Sequence, residues 1–155
     1  MNKTQTIRLL AAAVLLSQAL ALKALANTPA EEMADAAANL LATLTPAQKE
    51  KAAFELKSDE RFNWHFIPKA RKGLPLKEMA PEQRHLAHAL LGSALSQRGY
   101  VKAATIMSLE QILRDLEQGR RPARDPEVYY VSVFGKPGAK ETWGWRVEGH
   151  HLSLN

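Results

Sequence analysis

A change of pattern near residue 125 limits this chain more than any other feature. Before it, apolar residues recur at helical spacing. After it, VYYVSVFG at 128–135 is β-branched and aromatic, KPGAKE is a turn, and WGWRV, Glu148-Gly149 and HHLSLN read as two more strands joined tightly. Helices first and strands afterwards predict an α+β domain, with N-terminal helices packed on a C-terminal antiparallel β-meander. No internal repeat, Gly-rich phosphate loop or G-x-S-x-G elbow is present. Nucleotide-dependent and α/β-hydrolase chemistry therefore start at a disadvantage.

The helical part resolves into segments. An alanine-rich stretch at 31–44 carries Met33, Leu40, Leu41 and Leu44. Thr45, Pro46 and Gln48 then supply an N-cap, a first-turn proline and a capping-box glutamine for a second helix to about Leu56. Phe62, Trp64 and Phe66 alternate with Asn63, His65 and Ile67 up to Pro68, which predicts a short strand or extended segment. KARKGLPLKEM reads as a loop. Pro81 and Gln83 open a longer helix with the apolar arc Leu86, Ala87, Leu90, Leu91, Ala94 and Leu95, ended by Gly99. The next helix sets Ile106, Leu109, Ile112, Leu113 and Leu116 on one stripe, pairs Glu110 with Arg114, and stops at Gly119. These two helices are expected to pack as a hairpin.

Residues 1–26 have the form of a secretory signal: Lys3 and Arg8 precede the run LLAAAVLLSQALAL, and Ala24-Leu25-Ala26 is an A-x-A cleavage site. The competing reading is an uncleaved anchor. A spanning helix needs about 20 apolar residues and Lys23 interrupts this run, so cleavage after Ala26 is the expectation. The mature domain at 27–155 is then exported, to a periplasmic or extracellular space, with no membrane span of its own. Loss of Lys3, Arg8 and Lys23 lowers the formal charge from +5 to +2, which removes the argument for a nucleic-acid partner. There is no cysteine, so disulfides, thiolate chemistry and Cys-ligated zinc are excluded. An apolar core must hold the fold, and a chain of this length buries enough surface to do so.

FNWHFIPKARKGLPL at 62–76, APEQRHLAHALLGSALSQRGYVKA at 80–103, and RDPEVYYVSVFG with WGWRVEGHHLSLN at the end resemble, in the same order, the domain of unknown function 3500 family of exported bacterial and fungal proteins. The resemblance spans most of the mature chain and brings no established activity with it. It implies a domain that continues past Asn155 into further strands and a second helical part, so that this chain is an N-terminal portion. A short last strand with an unprotected edge agrees with that expectation.

Two site readings follow. In the first, His65, His151 and His88, with His150 as a further ligand candidate, hold zinc or another divalent metal or transfer protons between FNWHFIP and the WGWRVEGHH hairpin. Glu148 or Asp125 would supply a carboxylate. Strand alternation predicts that His151, Ser153 and Asn155 face one way and His150, Leu152 and Leu154 the other. His88 flanks the apolar arc of its helix, whereas His85 lies on the solvated side. The blander alternative is that these histidines are hydrogen-bonded packing residues. In the second reading Trp64, Trp143, Trp145 and Tyr129 form an aromatic platform for a small-molecule or carbohydrate ligand, with Arg146 on the opposite strand face. Its alternative is that the tryptophans fill the helix–sheet interface. A serine triad on Ser153 and His151 lacks an orienting acid. Lys69, Arg71 and Lys72, and likewise Arg120, Arg121 and Arg124, read as solvated loop charges rather than an anion site.

Overall fold

The computed structural model describes residues 27–118 and 124–155. The predicted α+β class holds. Helices α1 (Pro29–Thr43), α2 (Pro46–Ala52), α3 (Pro81–Ala94) and α4 (Gln97–Glu117) accompany strands β1 (Ala53–Phe54), β2 (Leu74–Pro75), β3 (Tyr130–Phe134), β4 (Gly144–Gly149) and β5 (Leu152–Leu154). The last three strands form the expected antiparallel meander, with Val131 opposite Val147 and Gly149 opposite Leu152. The sheet as a whole is mixed, because β1 runs parallel to β3 and β2 antiparallel to it.

Local chemistry sets the helix starts. Thr28 caps α1 and Thr45 caps α2, each in a reciprocal capping box with a proline in the first turn. Helix α2 ends four residues before the expected Leu56. Ala53 is already extended, and Phe54 stacks on Phe134 at 5.3 Å. Pairing with β3 outweighs the weak propensity for another helical turn.

The helical pairing also differs from expectation. Helix α3 packs along α1 rather than forming a close hairpin with α4. It ends at Ala94, not near Gly99. Leu95 is extended and Ser96 starts α4, its hydroxyl accepting the Gly99 N–H at 3.2 Å. On α4 the buried residues are Ala103, Met107 and Glu110, whereas Leu109, Ile112 and Leu116 of the predicted stripe are exposed. Arg114 bonds Gln111 rather than Glu110, whose carboxylate faces His150 instead. Gly119, the expected stop, lies outside the described residues; Gln118 closes the helix in a left-handed conformation.

Leu40, Ala87, Leu90 and Leu91 pack against Val131, Trp145, Val147 and Leu152 of the sheet to form the core. The opposite sheet face carries Tyr130, Ser132, Arg146 and Glu148, and the segment 55–73 covers it. That segment contains the FNWHFIP stretch, which is not a strand. It is a short 3-10 helix (Asp59–Phe62) followed by irregular chain, with Phe62, Trp64, Phe66 and Ile67 exposed. Guanidinium groups, rather than a neighbouring strand, bind the carbonyls of Glu60, Asn63, His65 and Ile67. The KARKGLPLKEM stretch likewise contains β2 and a 3-10 turn (Leu76–Glu78) instead of loop alone.

Candidate functional site

The tryptophans converge. Trp143 leads into β4, Trp145 lies within it, and Trp64 stands on the covering segment. With Met33, Arg61 and Phe62 they line one open groove of about 980 Å³. Trp145 is the floor: it is nearly buried, and its Nε1–H points at the Met33 sulfur 3.1 Å away. Phe62 and Trp64 form the opposite lip, at 71% and 55% exposure. Glu141 and Asn155 add polar groups at the rim. Tyr129 does not join this platform. It is fully buried, and its hydroxyl donates to the His150 carbonyl at 3.0 Å. Burial pushes the Tyr129 phenol pKa upward, and the negative charge of Glu110 adds to the effect.

A buried ionic cluster fixes the lip. Arg146 lies on the face of β4 opposite Trp145, as predicted, and is fully buried. Its Nη1 donates to the Glu60 carbonyl at 2.6 Å and the Asn63 carbonyl at 3.3 Å, and its Nη2 bonds the Glu60 carboxylate at 2.8 Å. Asn63 in turn donates to Glu60 at 3.0 Å. The chain on either side of Phe62 and Trp64 is thus pegged from beneath. Glu148, two residues along β4, faces Arg146 at 2.8 Å, an ion pair by distance in which Arg146 Nε and Glu148 Oε1 are not aligned for a hydrogen bond.

Arg71 completes the cluster from the loop read as solvated. Its side chain is buried, donating to Glu148 at 3.2 Å and to the carbonyls of His65, Ile67, Lys69 and Gly149. Arg124 is also buried, gripping Glu117 with two bonds of 2.9 and 3.0 Å that push its pKa further up. Lys69 and Lys72 are exposed as expected, while Arg120 and Arg121 lie outside the described residues. The one clue to the buried arginine was strand parity, which puts Arg146 and Glu148 on a single face. Nothing local marked Arg71 or Glu60.

The histidines are dispersed over three elements. His65 sits half-buried on the covering segment. His88, on α3, meets the Tyr100 hydroxyl at 3.1 Å. His150 and His151 are not strand residues on opposite faces: they form the two-residue turn between β4 and β5, with their rings 4.1 Å apart. Pairing of Gly149 with Leu152 leaves only these two residues to reverse the chain, and His151 takes φ +56° to do so. Among the described residues, no group of three or more His, Cys, Asp or Glu side chains is placed to hold a metal ion. The carboxylates considered as ligands are engaged elsewhere, Glu148 by Arg71 and Arg146, Asp125 by Lys77 at 3.4 Å and the Glu127 N–H at 2.9 Å.

Burial lowers the His88 pKa from its ordinary 6.5, and the nearby charge of His85 acts in the same direction. The folded protein therefore holds fewer protons on this ring than the unfolded chain. Its contribution to stability is intact above pH 6.5 and is lost as pH falls through the lowered folded value. His88→Gln is expected to flatten the decline of melting temperature below that pH. Thermal unfolding across the acid range checks this, and an unchanged profile would clear His88 as the source.

No helix of the described residues is long and apolar enough to cross a membrane. Neither a curated protein nor a solved structure matches the chain. One family model does, over residues 26–155, described as Protein of unknown function (DUF3500). That span includes both the aromatic groove and the ionic cluster beneath its lip, and the chain belongs to this family.

Proposed function

We propose that the protein is a ligand-binding module whose groove takes a carbohydrate or a similarly flat, weakly polar small molecule. The observation that carries this reading is the placement of Trp64, Trp143 and Trp145 around one open groove, with two large aromatic side chains left in solvent at its lip. Exposed aromatic surface beside polar rim groups is the usual make-up of a binding site. Apolar faces of a sugar ring can lie on the indoles while its hydroxyls reach Arg61, Glu141 and Asn155. The pegging of the lip by Arg146 supports the same reading, because a pre-ordered surface loses less entropy on binding.

Tryptophan fluorescence titrated with cellohexaose and xylohexaose tests the proposal. Saturable quenching is expected with at least one of them, and Trp64→Ala is expected to weaken binding about tenfold, equivalent to about 1.4 kcal/mol. No saturable change with either sugar at millimolar concentration, or equal affinity in Trp64→Ala, would refute it.

A further inference from the structure

A second cavity, of about 190 Å³, lies by the β4–β5 turn, and none of its lining residues is shared with the aromatic groove. His150, Glu110, Lys69, Asp125 and Tyr129 are among the residues around it. Glu110 on α4 is buried, and one of its carboxylate oxygens contacts His150 Nδ1. Arg124 Nη1 is 3.2 Å from the same ring nitrogen. A nitrogen cannot donate to the carboxylate and accept from the guanidinium at once. The carboxylate, acceptor only, requires Nδ1–H, and Arg124 is already held by its two bonds to Glu117. With Nδ1–H given to the carboxylate, the neutral ring carries its lone pair on Nε2, which has no hydrogen-bond partner among the described residues. A carboxylate that orients a histidine through Nδ1–H, leaving Nε2 as base, is the arrangement that general-base catalysis needs.

The geometry points to a hydrolytic site in which His150 is the general base, Glu110 its positioning residue, and a small ester the substrate class. His150 Nε2 takes a proton from water as the water oxygen bonds to the acyl carbon. The tetrahedral oxyanion develops in the cavity beside Lys69, which among the described residues is in no ion pair. Collapse breaks the bond to the alcohol oxygen, which recovers the proton from Nε2. Ester and water become acid and alcohol, and His150 is restored. The cavity volume admits only a short acyl group. The inference is independent of the carbohydrate reading, since the two cavities have no lining residue in common.

The test uses the whole chain with p-nitrophenyl acetate as the probe. The wild type is expected to show saturable hydrolysis, and His150→Gln to lose it by about 100-fold or more. Glu110→Gln is expected to lower kcat with little change in KM, whereas the exposed His85→Gln keeps the full rate. Because His150→Gln also alters the turn, diethyl pyrocarbonate labelling of the wild type provides a second route: activity should fall in step with carbethoxylation of His150, located by mass spectrometry. A wild-type rate no higher than that of free imidazole at equal concentration would overturn the proposal. So would full activity after His150 is labelled, or a folded His150→Gln that hydrolyses the ester at the wild-type rate.

Discussion

Arg146→Ala is expected to destabilise the fold by about 3–5 kcal/mol, the usual cost of removing one partner from a buried ion pair. The arginine is fully buried between the Glu60 and Glu148 carboxylates, and it also supplies hydrogen bonds to two backbone carbonyls. Truncation leaves a carboxylate facing an empty space, the Asn63 carbonyl without its guanidinium donor, and the Glu60 carbonyl with only the Asn63 N–H. Arg71 still reaches Glu148, so Glu60 is the more exposed to the loss. Arg146→Lys should recover only part of the stability, because an ammonium cannot copy the planar fork that spans Glu60 and its own carbonyl. Urea unfolding monitored by tryptophan fluorescence gives the number. A loss below about 1 kcal/mol would mean that the cluster is solvated and does not hold the covering segment.

The second large effect is expected at Gly149. A Cβ built there would lie 2.3 Å from Cδ1 and 2.5 Å from Cε1 of the Tyr129 ring. That ring has little room to move: Tyr129 is fully buried, its backbone carbonyl accepts from Leu76 at 2.9 Å, and its hydroxyl is bonded to the His150 carbonyl. Gly149→Ala must therefore push β4 away from Tyr129 or break the hydroxyl contact. About 3 kcal/mol is expected, at the upper end of what overpacking costs. Adding Tyr129→Leu to Gly149→Ala should restore part of the loss, and a double-mutant cycle measures the coupling. Strictly additive effects would show that the contact is not the cause. The glycine is needed for close approach to an aromatic face.

Much of the site was legible as composition but not as position. Strand parity places Trp143 and Trp145 on one face, and the alternative that they fill the helix–sheet interface describes Trp145, a core residue with Trp143 packed against that core. Tyr129 was the misfit, since strand membership alone does not say that a neighbouring glycine opens a slot for its ring. The period-two pattern in FNWHFIP predicts a strand, yet the carbonyls of Asn63, His65 and Ile67 are taken by the Arg146 and Arg71 side chains, and Phe66 makes a single backbone bond, to the His151 N–H, instead of a ladder. By sequence Arg71 belongs with Lys69 and Lys72 to a basic loop run, and such runs are nearly always solvated. Only a carboxylate delivered by β4 makes its burial tolerable.

The sequence by itself determined what depends on neighbours a few residues away: the capping box of Thr45 and Gln48, the helical character of 81–94, the strands at 130–134 and 144–149, and hence the α+β class. Those signals are local because caps, proline positions and side-chain periodicity act within one or two turns. The tertiary structure alone decided which face of α4 is buried, that His150 and His151 make a turn, and that Arg71, Glu60, Arg146 and Glu148 meet beneath the lip of the groove. Apart from the turn, which follows from the register of β4 on β5, each of these outcomes depends on a partner tens of residues away. Burial of a charge is settled by whether that partner arrives, which no local pattern encodes.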